Sequence, residues 1–229
     1  MSDHLCGGLD ANAFGIDASG MGDLSPEALE DVLGDADFFL TSHGFELDAV
    51  PSAAKLARKV LQTDPEFVEM RHEAYTTPVH GLDRIFIRKG TPLVRARWLV
   101  LHELAEVHYK RVGYFDDDVE ARCNAMASAM AAPRIAVRNA TKQYGHAVTD
   151  LAAALKTPQA ATVLRIAEVI GRPCALLRDA GPIIRGDWFD WPQDIAGFRR
   201  LLKEKRADVH PFKITDERAS RFAFMALAA

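Results

Sequence analysis

Apolar positions along the chain change period twice, and those changes mark its elements. From Ser25 onward Leu29, Val32, Leu33, Ala36, Phe39 and Leu40 recur at threes and fours, the spacing of an amphipathic helix. Ser25 as cap, Pro26 at the first helical position and Glu27 in the first turn supply its start. Ala53, Leu56, Ala57 and Val60 predict a second helix from Ser52 through Leu61, with Phe45, Leu47 and Val50 as an extended link between the two. The period then shortens. Arg84-Ile85-Phe86-Ile87-Arg88, bounded by Gly81 and by Gly90 and Pro92, predicts a short strand. Helical spacing returns from Leu93 to about Tyr109, where Trp98, Leu101, Leu104, Ala105 and Val107 leave few polar sides, as in a buried helix. A further helix from about Asp117 to Ala132 is rich in small residues and Met and stops at Pro133.

Val148 to Ile170 reads as helix, tight turn, helix, with Thr157 as N-cap and Pro158 opening the second helix, and with Gly171 and Pro173 as stops. That is helix-turn-helix grammar. Beyond Gly181 the character shifts again: Trp188, Phe189 and Trp191 suggest an apolar plug or a partner-binding patch, Arg199 to Arg206 a solvated helix face, and residues 211–229 a final strand or helix. The fold class expected is α+β, mostly helical with a small β-sheet. Its predicted parts are a flexible tail over 1–24, a main domain over 25–145, a helix-turn-helix-like segment over 146–180 and an extension over 181–229.

Composition narrows the function classes. The 229 residues are 48% hydrophobic and 26% charged, enough apolar content for a sizeable core. A formal charge of −4 gives no basic footprint for bulk nucleic-acid binding. Cys6, Cys123 and Cys174 are isolated and odd in number, which fits a reducing cytoplasm better than a disulfide scaffold. The first 25 residues carry no basic, apolar leader pattern, and no apolar run approaches the roughly 20 residues a bilayer requires.

The buried-type helix contains an unexpected polar set: His102-Glu103-Leu104-Ala105-Glu106. Residues four apart share a helix face, so His102 and Glu106 can aim at one point, with Glu103 about 100° round from His102. This is the H-E-x-x-H arrangement of zinc helices with the second histidine replaced by Glu106, and carboxylate is an accepted zinc ligand. A His and a Glu at that spacing also make a simple surface pair; what favours a metal is the apolar setting, because polar groups buried there need partners. His108, about 240° round the helix from His102, cannot share the ligand point and reads as structural or solvent-facing. A di-iron bundle would need two E-x-x-H helices, and only Glu69-x-x-His72 is present.

Downstream the chain reads Glu120-Ala-Arg-Cys123-Asn124-Ala-Met126-Ala127-Ser-Ala-Met130-Ala-Ala-Pro133. Together with the strand and the H-E-x-x-E helix, this resembles the ImmA/IrrE family of metallo-endopeptidases. That family places a metal-binding Glu on a second helix, followed by Asn, an aromatic, Ala, two leucines and a closing Pro. Glu120 stands at the ligand position, Asn124, Ala127 and Pro133 match, Met126 replaces the aromatic, Met130 the first Leu, and Cys123 the usual Ala. The helix-turn-helix-like segment follows in the same order, so the resemblance spans roughly residues 35–180.

The resemblance implies a zincin-like fold, a metal held by His102, Glu106 and Glu120, Glu103 as general base, and a helix-turn-helix repressor as protein substrate. Zn²⁺ is the expected ion. Two carboxylates instead of one make the ligated centre formally neutral, which lowers its acidity and suits Mn²⁺ or Fe²⁺ relatively better. Three readings compete: a peptidase acting on a repressor, a variant that binds such a regulator without cutting it, and a DNA-binding regulator using Val148–Ile170. The last would offer Gln159, Thr162 and Arg165 to DNA with little positive charge behind them.

Overall fold

The computed structural model describes residues 24–145 and 147–171, the strands at 174–178, 181–185, 209–214 and 223–228, and the isolated helical positions 196, 197, 200 and 203. The predicted tail over 1–24 lies outside these except for Leu24, as do Trp188, Phe189, Trp191 and most of the 199–206 charge run. The fold is α+β and mostly helical, as the apolar periods imply. The described residues divide into two compact units between Pro133 and Arg134.

In the first unit, helix α1 (Pro26–Ser42) starts where the sequence places it: the Ser25 hydroxyl accepts from the Ala28 N–H at 3.1 Å, and Pro26 occupies the first turn. Helix α2 (Ala53–Leu61) is capped in the same way by Ser52. Three strands follow, β1 (Glu66–Val68), β2 (Ala74–Val79) and β3 (Leu82–Arg88), in the order β1-β3-β2. β1 runs parallel to β3 and β2 antiparallel to it, so the expected strand at 84–88 begins two residues earlier and has two partners that periodicity did not reveal. β2 and β3 are joined by His80 and Gly81, both at positive φ (52° and 82°), the backbone of a two-residue hairpin turn.

Helix α3 (Leu93–Val112) is the centre of this unit and runs three residues past the expected end, to Gly113 in the left-handed conformation. Its Leu101, Leu104 and Ala105 are fully buried beside Ile85 and Ile87 from β3 and Leu40 and Leu56 from α1 and α2. Helix α4 (Val119–Ala131) packs against α3 and α1. Its buried residues are mainly Ala, with Cys123, Met126 and Met130. Small side chains let two helix backbones approach closely, and here they bring the α4 start against the middle of α3. The Arg97 guanidinium donates to the Ala131 carbonyl at 2.5 Å, while Glu120 meets His102, so α3 and α4 run antiparallel.

The second unit opens with helix α5 (Arg134–Tyr144), which the sequence reading left unassigned within its main domain. It packs on α6 (Val148–Leu155) and α7 (Gln159–Ile170), so it belongs with the helix-turn-helix-like pair. Four strands form an antiparallel sheet in the order β5-β4-β7-β6: β4 (Cys174–Arg178), β5 (Gly181–Arg185), β6 (Val209–Ile214) and β7 (Ala223–Ala228). The boundary drawn at 145 therefore falls inside this unit. The boundary drawn at 180 cuts the β4–β5 hairpin, whose register pairs Leu176 with Ile183. Thr157 does not cap α7; Pro158 stands at that position, and the Thr157 hydroxyl bonds instead to that of Thr162 at 2.7 Å.

Candidate metal centre

Helix α3 delivers His102 from a buried position, 8% exposed, and aims its Nε2 toward solvent-facing carboxylates. Nε2 lies 3.0 Å from Glu106 Oε1, one turn further along α3, and 3.5 Å from Glu120 Oε1 on α4. The three donor atoms all lie within 4.8 Å of one another. Donors bound tetrahedrally to one ion at about 2.0–2.2 Å stand roughly 3.3–3.6 Å apart, so small side-chain adjustments would close this set on a cation. The donor chemistry, one imidazole and two carboxylates, suits Zn²⁺ and also Mn²⁺ or Fe²⁺. Asn124, one turn after Glu120, donates its amide to Glu120 Oε1 at 3.3 Å and helps hold that carboxylate in place.

Glu103 sits beside this triad, 5% exposed, and Thr76 from β2 donates its hydroxyl to Glu103 Oε2 at 2.7 Å. Burial pushes the Glu103 carboxyl up to about 7; the Thr76 hydrogen bond opposes the rise, and the Glu106 charge adds to it. A carboxyl near 7 is matched to proton transfer at neutral pH. Burial pulls the His102 imidazolium down, but the Glu106 hydrogen bond and the charges of Glu120, Glu106 and Glu103 outweigh it, so the group titrates above its ordinary value. Burial, with the nearby acidic charges, pushes the Cys123 thiol up to about 12, which keeps it protonated and unreactive.

The structure thus brings together His102, Glu103 and Glu106, which helical spacing picked out, and Glu120, which the resemblance implied. His108 is half-buried elsewhere, edge-on to Phe39 at 5.2 Å between ring centroids, a packing role. Thr76 escaped the sequence reading because its strand was not recognised. The His80-Gly81 pair, between Val79 and Leu82 and followed by the β-branched and aromatic Ile85-Phe86-Ile87, was the available hairpin signal.

The helix-turn-helix-like pair presents little of its expected reading face. Thr162 is fully buried, with its hydroxyl hydrogen-bonded to the Pro158 carbonyl at 2.9 Å. Arg165 is also buried, 2.8 Å from Glu168, and the Gln159 amide donates to the Thr149 hydroxyl at 3.2 Å.

No protein-family model matches this sequence, and no curated protein matches it. Among solved structures, a Mycobacterium tuberculosis transcriptional regulator is similar, with a TM-score of 0.54 and 14% sequence identity. The likeness covers 70% of this chain and 56% of that one, so the chain spans little more than half of that regulator. At this identity the likeness shows a shared fold. Among the described residues no helix is long and apolar enough to cross a membrane.

Proposed function

We propose that this chain is a metal-dependent regulatory protein of ImmA/IrrE type, acting on a helix-turn-helix transcriptional repressor in the cytoplasm. One observation carries the reading: three donor atoms from two helices lie within 4.8 Å of one another beside a buried carboxyl that titrates near 7. A simple surface ion pair needs neither the buried histidine nor the buried acid. His102, Glu106 and Glu120 would hold the cation, which when bound supplies Lewis acidity toward a carbonyl oxygen and water. Glu103 accepts the proton of the attacking water, and the Thr76 hydroxyl fixes one of its oxygens so that the other can receive that proton. Strand β2 lies at the edge of its sheet, next to Glu103, where an extended peptide could pair with its backbone.

The likeness to a transcriptional regulator supports a role in transcription regulation, and the neutral charge of the ligated centre supports a second reading, in which the chain binds its regulator without cutting it. DNA binding through Val148–Ile170 is the third, and the burial of Thr162 and Arg165 weighs against it. Metal analysis of the purified protein and of His102→Ala tests the centre: bound Zn²⁺, Mn²⁺ or Fe²⁺ in the wild type alone supports it, and no metal in either sinks it. Incubation with a co-encoded repressor separates the first two readings. Cleavage lost in Glu103→Gln marks a peptidase; a stable uncleaved complex, with cleavage appearing in Glu106→His, marks the binding module. A salt-dependent DNA mobility shift without a repressor would favour the third.

A further inference from the structure

Metal-binding histidines are ordinarily fixed by a hydrogen bond from the second ring nitrogen to a carboxylate or carbonyl. His102 departs from this. Its Nδ1 is buried and meets no hydrogen-bond partner among the described residues. The ring is held in another way: Trp98, one turn earlier on α3, stacks on it with centroids 5.1 Å apart and planes inclined by 26°. The indole is braced in turn by Arg95, whose guanidinium carbon lies 4.8 Å from the Trp98 ring centroid.

Arg95 is itself anchored. It is buried and donates to Glu73 Oε2 at 2.5 Å. Glu73 stands immediately before β2, its carbonyl accepts from the Arg88 N–H at 2.8 Å, and its other carboxylate oxygen lies 3.5 Å from the Arg88 guanidinium. A continuous line of contacts therefore runs from the sheet through Glu73, Arg95 and Trp98 to the imidazole.

We propose that Trp98 is a positioning residue: its stacked indole, braced by Arg95, orients His102 toward the cation in place of the missing hydrogen bond. The inference rests on reading His102 as a metal ligand. A core-packing role would make any large apolar residue at 98 an adequate substitute. A positioning role requires a flat ring.

The test uses the full chain with Co²⁺ as probe, reading affinity by chelator competition and geometry from the visible absorption bands. Wild-type binding comes first, since a wild type that takes up no Co²⁺ overturns the metal reading itself and the inference with it. With binding established, Trp98→Leu is expected to lose about 10- to 100-fold in affinity, the usual cost of removing an outer-shell partner, with altered absorption. Trp98→Phe restores affinity and spectrum. Circular dichroism and metal-free thermal unfolding check that both variants fold. Wild-type affinity and spectrum in Trp98→Leu would overturn the proposal, as would equal losses in Leu and Phe. If Trp98→Leu fails to fold, Arg95→Met keeps the indole but removes its brace: weakened Co²⁺ binding supports the proposal and unchanged binding overturns it.

Discussion

Helices α3 and α7 both bury polar side chains, yet they resolve the cost in opposite ways. In α7 the buried groups find partners nearby in the chain: Thr162 on Pro158 and Thr157, Arg165 on Glu168 one turn on. In α3, His102 turns its Nε2 outward, toward Glu106 and Glu120, whose side chains are 46% and 69% exposed. A self-contained set stabilises a fold, whereas a set that converges on the surface leaves a place for something from solution. Two segments with similar apolar frames thus differ in what they offer to solution because of where their polar atoms point.

Substitutions can break this contrast. His102→Ala should abolish metal binding, a loss of at least about a thousandfold, or roughly 4 kcal/mol at 1.4 kcal/mol per decade. Equilibrium dialysis reads it; retained metal would remove His102 from the centre. Arg165→Ala should do the reverse. Removing one member of a buried pair costs about 3–5 kcal/mol, so the second unit should unfold at lower denaturant while metal content stays unchanged.

The contrast also has a pH signature. Glu103 titrates near 7 in the folded, metal-free protein against an ordinary 4.5, so the folded state holds its proton more tightly. Its contribution to stability is present below pH 4.5 and is lost as pH rises through 7. His102, also raised, acts in the same direction at higher pH. Denaturation in chelator should therefore show falling stability from pH 4.5 to 7, and Glu103→Gln should flatten that fall. Metal affinity should rise over the same range, because binding displaces those protons. Arg165→Ala should leave both profiles unchanged.

The smallest effect belongs to Thr76→Val. It removes one hydrogen bond, worth about 1 kcal/mol, from the Glu103 carboxylate and should raise that group further. A pH–rate or pH–binding profile displaced upward, with thermal stability little changed, is the expected result.

How much of this was legible in the sequence follows from how local each signal is. His102, Glu103 and Glu106 lie within five residues on one helix, so helical period alone aligns them. Glu120 lies on another helix, and only the register of the whole α4 segment, from Glu120 to Pro133, pointed to it. The strands β1 and β2 were missed because Glu66–Val68 is too short for alternation to register and β2 contains Pro78. Helix α5 escaped because its buried residues are only Ala136, Val137 and Ala140, a narrow stripe on an otherwise polar helix. The capping of α1, set by neighbouring residues, was readable to the residue and the start of α2 to within one, whereas Thr157 looked like a cap and places its hydroxyl on Thr162 instead.

The Arg97–Ala131 hydrogen bond has a bearing on how fast the proposed centre would fill. It fastens the end of α4 to the start of α3 without any help from Glu120 or His102. The two ligand-bearing helices thus stay registered when no ion bridges them. Cation uptake at the proposed centre would then be a docking event on a standing frame, not a refolding event. On the proposed reading, loading and exchange of the ion should follow the rates of ligand deprotonation and of water loss from the ion.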